Sequence, residues 1–288
     1  MSSNNNSTII RPKYPNLHGY DPSVGLATAG VVGFAVVSII LLALSIRFKK
    51  FWFFVAPVAG AVMAIGYGTR IISGNDVHNL GKYITTTLLI LLPPTALAAV
   101  FLFAQLGKVM KKTGITHPIF RPKVVKYLFL IVDICSIFIQ SAGGALLAQS
   151  ADNINLQTPA KAVMLTGLTI ALTSFTLFFF LIVYLHIKVL REKSDEADKK
   201  WRVIFIALYI SGLLIILRSI YRVAEYAGGY HSAIMLNEGL FFGLDALPMF
   251  LLMCVWIPFH PGYVSLSNKD SKKKSTTTDE TRGGVEME

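Results

Sequence analysis

Seven long apolar stretches alternate with short polar segments along most of the chain. They lie at about 24–46, 51–73, 83–107, 124–148, 161–187, 203–226 and 235–257. A helix needs about 20 apolar residues to cross the hydrocarbon core of a bilayer, and lipid offers no hydrogen-bond partner to an open backbone. The pattern therefore predicts an all-α fold, an integral membrane bundle of seven transmembrane helices. Pro93 and Pro94 lie inside the third stretch and predict a kink there.

The two ends of the chain are polar and flank the predicted seven-helix membrane domain at 24–262. Residues 1–23 are rich in Asn, Ser and Pro, and we expect an extracellular polar head in which overlapping sequons make Asn5 and Asn6 glycosylation candidates. Residues 263–288 are low in apolar side chains, so we expect a disordered cytosolic tail. Lys272–Lys274 in this tail favour contact with anionic lipid of the inner leaflet.

Composition and charge support this interpretation and orient the bundle. The chain has 288 residues, of which 53% are hydrophobic and 15% are charged, whereas soluble domains carry about 25% charged residues. Of the 27 Lys and Arg residues, 20 lie in the segments on one side of the predicted bundle and 4 on the other. The positive-inside rule then predicts an extracellular N-terminus and a cytosolic C-terminus. Because the basic residues lie in short blocks between apolar runs, the net charge of +11 does not indicate binding to nucleic acid.

Eight polar side chains lie inside or beside the apolar stretches. A charge at membrane depth costs several kcal/mol, so such residues pair, face water or perform a function. Spacings of three, four and seven residues put the members on single faces of the fourth, sixth and seventh helices. The candidate substrate or translocation network consists of Arg70, Asp133, Gln140, Arg218, Arg222, Glu225, Glu238 and Asp245.

The short loop between the sixth and seventh helices predicts that their charged faces turn toward each other. At 1.5 Å per residue, Arg218 lies about 22 Å, Asp245 about 18 Å and Asp133 about 14 Å from the cytosolic ends of their helices. The set therefore predicts a polar column from the middle of the membrane to the outer leaflet, suited to an outward cavity or a lipid headgroup. A structural interpretation stays open, because buried ion pairs can fix helix register without a ligand. Close helix packing is predicted at Gly143, Gly144, Gly239 and Gly243.

Several function classes have no support in the sequence. There is no P-loop, no H-E-x-x-H and no cysteine cluster, so we expect neither ATP-driven transport nor a metal or other cofactor. No nucleophile accompanies the carboxylates, so we expect no enzyme, and a membrane-embedded hydrolase is the weakest alternative. The seventh stretch contains no lysine that would form a retinal Schiff base.

Five motifs follow one another in a fixed order. They are G-Y-x-x-R at 66–70, L-L-P-P at 91–94, D-x-x-S-x-x-x-Q-x-x-G-G at 133–144, R-x-x-x-R-x-x-E at 218–225 with the later Glu238 and Asp245, and H-P-G at 260–262. In this order the motifs resemble the fungal RTA-like family, also called lipid-translocating exporters. The resemblance covers about residues 20–262.

The resemblance implies a multi-pass plasma-membrane protein of a fungus, with a role in stress response and in resistance to toxic amphiphiles. The compounds associated with the family are aminosterols, sphingoid long-chain bases and porphyrins, so the expected partners are membrane lipids or amphiphilic small molecules. Two functions stay open at this point. The protein translocates or exports such compounds, or it is a seven-helix sensor of lipids or stress that regulates other transporters through a cytosolic partner.

Overall fold

The protein is a bundle of helices in a computed structural model that describes residues 22–74, 80–91, 93–107, 110, 122–150, 154–192, 198–228, 234 and 236–263. The α-helices are α1 (Val24–Arg47), α2 (Val55–Gly74), α3 (Leu80–Leu91), α4 (Pro93–Ala98), α5 (Pro122–Gln149), α6 (Gln157–Glu192), α7 (Asp198–Gly228), α8 (Glu238–Phe241) and α9 (Leu247–Val255). Two π-helical segments, Ala99–Ala104 and Phe242–Ala246, continue α4 and α8. Short 3₁₀ turns occupy Phe51–Phe54 and Ile154–Leu156.

Within the described residues, seven helical segments are long and apolar enough to cross a membrane, which confirms the predicted number. In order, they are Val24–Arg47, Phe51–Gly74, Thr85–Gly107, Tyr127–Leu147, Gln157–Arg191, Ile204–Gly228 and Glu238–Val255, and we call them the first to seventh spans. The described residues contain no strand. The fifth span is longer than predicted because its helix continues through Lys188 and Arg191, whose long side chains can extend along an apolar surface to reach water.

The third span contains the proline pair at which the sequence predicts a kink. The described part of α3 ends at Leu91 and that of α4 begins at Pro93, with residue 92 outside the described residues. Proline has no N–H group and its ring clashes with the carbonyl four residues earlier, so each of the two prolines removes one helical hydrogen bond. After α4 the chain widens into the π-helical segment Ala99–Ala104 before it returns to α-helix at Gln105.

Contacts between spans distinguish two ends of the bundle. Ser23 at the start of the first span meets Glu238 at the start of the seventh, and we call this the predicted outer end. Phe48 after the first span meets His260 after the seventh, and we call this the predicted cytosolic end. Large apolar side chains such as Phe138 face away from the bundle, with 72% of its surface exposed. Such a surface suits contact with lipid chains.

Aromatic side chains fill the predicted cytosolic end. Trp256 stacks on Phe101 with ring centroids 5.0 Å apart, and Phe53 packs against both rings. The indole N–H of Trp256 donates to the Ser211 hydroxyl over 2.8 Å. All four side chains are buried, so the second, third, sixth and seventh spans converge here in a dry contact.

His260 lies in this aromatic layer although it precedes a proline outside the last span. Its ring is fully buried, stacks on Phe48 and meets the Phe53 ring edge to face. The Gly262 N–H donates to His260 Nδ1 over 3.1 Å, so the neutral ring carries its proton on Nε2. Gly262 packs so closely on the Phe48 ring that a Cβ would overlap it. Burial, and then the nearby Lys50, lower the pKa of His260 to about 4.

We expect the contribution of His260 to the free energy of unfolding to fall as the pH decreases from about 6.5, the usual pKa of histidine, toward about 4. In this window the unfolded chain takes up a proton on His260, whereas the folded protein keeps the ring neutral. If His260 were protonated in the folded protein, its Nδ1–H group and the Gly262 N–H group would be two donors that face each other without an acceptor. The measurement is the midpoint of thermal unfolding in detergent against pH. His260→Gln is expected to flatten this dependence, and an unchanged slope would contradict the assignment.

Candidate functional site

A doubly bonded ion pair joins the sixth and seventh spans. Arg222 Nε donates to Asp245 Oδ1 over 2.6 Å, and Arg222 Nη2 donates to Asp245 Oδ2 over 2.7 Å. Arg222 Nη1 also donates to Glu225 Oε2 over 3.1 Å, one turn away on the same helix. All three side chains are buried, and Asp245 has no exposed surface. Two parallel bonds between a guanidinium and a carboxylate fix their mutual orientation as well as their distance.

Asp245 lies within the π-helical segment of the seventh span. A π-helical turn contains an additional residue and is frequent at functional sites. Here the segment follows α8, which is capped by Asn237. The side-chain oxygen of Asn237 accepts hydrogen bonds from the N–H groups of Gly239 and Leu240. The sequence predicted that Glu238 and Asp245 share one face of a regular helix. The π turn changes that register, and the two carboxylates have different partners.

Arg218 links the same carboxylate to the third span, next to its proline pair. Its Nε lies 3.0 Å from Asp245 Oδ1, and its Nη2 donates to the carbonyl oxygen of Ile90 over 3.3 Å. In a regular helix the Ile90 carbonyl accepts from the N–H of residue 94, but residue 94 is a proline and has none. Arg218 therefore supplies the hydrogen bond that Pro94 removes. Spacing did not predict this contact, although the L-L-P-P motif signals a free carbonyl.

A second ion pair closes the predicted outer end. Arg70 Nη2 donates to Glu238 Oε1 over 3.3 Å. The backbone N–H of Ser23 donates to both oxygens of the same carboxylate, over 3.1 and 3.0 Å. Glu238 thus joins the starts of the first and seventh spans to the end of the second. We call the contact of Glu238, Arg70 and Ser23 the outer clasp.

Phe241 lies between the outer clasp and the deeper ion pairs. Its ring centroid is 4.5 Å from the guanidinium carbon of Arg70 and 5.4 Å from that of Arg222. A guanidinium within about 6 Å of an aromatic ring is attracted by the ring electrons. Sequence reasoning missed Phe241, since an aromatic residue in an apolar stretch gives no signal of contact with a charge.

Asp133 and Gln140 do not join the charged cluster, which corrects the prediction of one shared column. Asp133 Oδ1 accepts a hydrogen bond from the Ser174 hydroxyl over 3.2 Å. Gln140 Nε2 donates to the Gly167 carbonyl over 3.3 Å. Both contacts lie between the fourth and fifth spans, because this face of the fourth helix packs on the fifth. The cluster among the described residues holds three arginines, at 70, 218 and 222, and three carboxylates, at 225, 238 and 245, and so balances its charge without Asp133.

The predicted close packing is present at one of four glycines. A Cβ at Gly143 would lie 2.6 Å from the backbone nitrogen of Met164 in the fifth span. At Gly144 and Gly243 no heavy atom of the described residues lies within 4 Å of such a Cβ, and at Gly239 the contact is with Asn237 of the same helix. The prediction was wrong for these three, because they point away from the neighbouring spans. Gly167 packs closely on Gln140 and Ser136, and sequence reasoning missed it.

Some predicted features lie outside the described residues. These are the glycosylation candidates Asn5 and Asn6 and the lysines of the tail.

The described side chains form a site of buried arginines and carboxylates in the second, sixth and seventh spans. It is closed by the outer clasp at one end and by aromatic rings at the other. Its charges bind one another in this conformation, so a charged ligand would have to displace one of these internal partners.

Comparison with known proteins supplies independent information. The model of a family described as "RTA1 like protein" matches residues 57–268. Protein RTA1 of Saccharomyces cerevisiae is 28% identical over 204 residues, 69% of this chain and 62% of the relative. Protoporphyrin uptake protein 1 of the same species is 26% identical over 205 residues, 69% of this chain and 66% of the relative. The chain therefore spans less than two thirds of the length of each.

A third yeast protein, named sphingoid long-chain base transporter RSB1, is 23% identical over 276 residues, 83% of this chain and 70% of the relative. No solved structure matches the chain at a significant level. Two of these three relatives are named for uptake or transport.

Proposed function

The chain belongs to the family of RTA1-like proteins, and we propose on that premise that it translocates or exports amphipathic, lipid-like compounds. The protein acts in the plasma membrane of a fungus and thereby confers resistance to these compounds. Sphingoid bases, sterol analogues and porphyrins are the substrate classes. Support comes from the relatives named as a sphingoid base transporter and a protoporphyrin uptake protein. The orientation with an outer N-terminus is part of the proposal and is supported by the charge asymmetry of the loops.

The buried ion pairs of Arg222 with Asp245 and Glu225 carry the proposal. Charges at membrane depth are expensive and mark ligand or ion pathways. These charges lie in spans long enough to cross a membrane, and only neighbouring side chains compensate them. An amphiphile has a polar headgroup and an apolar body, so its headgroup can replace one internal partner while its body stays in lipid. A cationic headgroup, such as the ammonium of a sphingoid base, binds the carboxylates.

Movement of a headgroup past the cluster requires the outer clasp to open. The clasp suits this task, because Glu238 is bound by one arginine over 3.3 Å and by one backbone N–H. Glu238 also keeps 14% of its side chain exposed, whereas Asp245 keeps none. The ion pair of Glu238 is therefore weaker and more exposed to water than that of Asp245. The aromatic contact at the predicted cytosolic end closes the opposite side, which supports a closed state of the proposed carrier.

We expect Glu225→Gln to reduce the movement of a fluorescent sphingoid base across the membrane of reconstituted vesicles at least tenfold, a change of about 1.4 kcal/mol. The variant removes a carboxylate that binds the headgroup while Arg222 keeps both bonds to Asp245. The measurement uses purified protein in vesicles without any other protein. Flux of the wild-type protein under these conditions would also exclude a pure sensor, which binds lipid without moving it.

Lys161→Gln is the matched control. It also removes one charge near the predicted outer end of the sixth span, where Lys161 Nζ donates to the Ala227 carbonyl over 2.8 Å, but it leaves the cluster intact. We expect near wild-type flux from this variant. Equal flux from wild-type protein and Glu225→Gln, at equal amounts of reconstituted protein, would overturn the proposed role of the cluster.

A further inference from the structure

Asp133 is a buried carboxyl group that the charged cluster does not use. Its side chain is 2% exposed, and it lies in the middle part of the fourth span. Oδ1 accepts one hydrogen bond from Ser174, whereas Oδ2 is buried and has no hydrogen-bond partner among the described residues. An ionised carboxylate needs a cation or several donors when it leaves water. Asp133 has one neutral donor.

The fourth and fifth spans pack closely on the face that carries Asp133. Asp133 and Gln140 are seven residues apart on the fourth span, and their partners Ser174 and Gly167 are seven apart on the fifth. The two antiparallel helices therefore meet through matched polar contacts two turns apart. At the contact of Gln140 with Gly167 the backbones approach closely, because a Cβ at Gly167 would lie 2.9 Å from the Gln140 nitrogen and 3.0 Å from the Ser136 carbonyl oxygen.

Ionisable groups on the neighbouring elements are far from Asp133 or turned away from it. The third span, which also packs on the fourth, has no ionisable side chain between residues 85 and 107. On the fifth span, Lys161 lies about 20 Å and Tyr184 about 15 Å from Ser174 along the helix axis, and the other ionisable residues follow Tyr184. Lys82 lies near the predicted outer end of α3. On the fourth span itself, Tyr127 and Cys135 are exposed.

We propose that Asp133 is a proton-binding site in which the carboxyl group is neutral at physiological pH and hydrogen-bonded to Ser174. A proton needs no additional space where two helices are in close contact, and it removes the charge that no described neighbour compensates. Loss of this proton leaves an uncompensated carboxylate between the fourth and fifth spans. Deprotonation therefore favours separation of the two spans and links their packing to pH. This proposal does not depend on the transport of an amphiphile.

Infrared spectroscopy of the purified protein at about pH 7 tests the protonation state directly, because protonated carboxyl groups have a carbonyl stretch that carboxylates lack. We expect such a band in wild-type protein and in Glu238→Gln, and its loss in Asp133→Asn. Ser174→Ala keeps Asp133 and removes the hydrogen bond to Oδ1, so the band is expected to shift in frequency. An unchanged carboxyl region in both Asp133→Asn and Ser174→Ala would overturn the proposal. If Asp133→Asn does not fold, the Ser174→Ala shift alone decides.

Stability against pH provides a second readout with a defined sign. A carboxyl group that keeps its proton in the folded protein stabilises the fold most at low pH and loses that contribution as pH rises. Relative to Asp133→Asn, the unfolding equilibrium constant of the wild-type protein is expected to rise by up to tenfold per unit between about pH 5 and about pH 8. A constant ratio of the two equilibrium constants across this range would indicate an ionised Asp133 and would overturn the proposal.

Discussion

Replacing Asp245 by Asn is expected to lower the free energy of unfolding by about 3–5 kcal/mol, because it leaves buried arginines without a compensating charge. Asp245 accepts two hydrogen bonds from Arg222 and lies 3.0 Å from Arg218. Asparagine has nearly the same shape, so packing stays intact while the charge is lost. An amide also presents an NH₂ group to one of the guanidinium donors, which adds a repulsive contact. The measurement is reversible unfolding of the purified protein in mixed micelles.

Glu225→Gln is the matched control for this effect. Glu225 forms one bond to Arg222, over 3.1 Å, and Arg222 retains both bonds to Asp245 when Glu225 is neutral. We therefore expect a smaller loss than that of Asp245→Asn, because no arginine is left without a compensating carboxylate. A double-mutant cycle of Arg222→Gln and Asp245→Asn is expected to give a coupling energy above about 1 kcal/mol. Equal losses for Asp245→Asn and Glu225→Gln, with no coupling in the cycle, would contradict the central place of Asp245.

Exchanging two adjacent glycines of the fourth span for alanine is expected to give effects of opposite sign. Gly143→Ala places a methyl group 2.6 Å from the Met164 nitrogen and 2.7 Å from its Cα, and a backbone cannot rotate away as a side chain can. The fourth and fifth spans must separate, at a cost of about 1–3 kcal/mol. Gly144→Ala meets no described atom within 4 Å and gains about 0.5–1 kcal/mol from the better helix propensity of alanine.

The thermal midpoint of each purified variant measures this difference. We expect Gly143→Ala to unfold at a lower temperature than the wild-type protein and Gly144→Ala at an equal or higher one. Because the two residues are neighbours in the same helix, the two substitutions lie at nearly the same depth in the membrane. A similar decrease in both variants would mean that helix flexibility, rather than contact with the fifth span, explains the glycines. It would also weaken the packing argument for Asp133, which lies on the same interface.

The length of the apolar stretches predicted the seven spans because a membrane imposes one length and one polarity on every crossing segment. Part of the charged site also followed from spacing. The pair of Arg222 and Glu225 is local to one helix, and a short connection makes the sixth and seventh spans neighbours, which brings Arg222 to Asp245. In each case the two partners lie on one helix or on two helices that a short connection makes neighbours.

Spacing along one helix does not reveal which other helix that face meets, and this explains the misplacement of Asp133 and Gln140. Both were predicted correctly to share a face, but that face packs on the fifth span rather than on the sixth and seventh. The register of the seventh span was equally hidden, because apolar sequences carry no signal for a π turn. The contact of Arg218 with Ile90 was accessible in principle, since a proline always leaves a carbonyl without its donor.

The π-helical segment Phe242–Ala246 divides the seventh span into two parts with different rotational phase. One residue corresponds to about 100° of rotation in an α-helix, so this additional residue decides which way one part faces relative to the other. Glu238 in the outer clasp lies on one side of the segment, and Trp256, bonded to Ser211, lies on the other. Insertion or deletion of one residue in this segment therefore rotates one part of the seventh span relative to the other. They leave a continuous helix but turn one set of contacts away from its partners, so the length of this short segment is constrained more tightly than its composition.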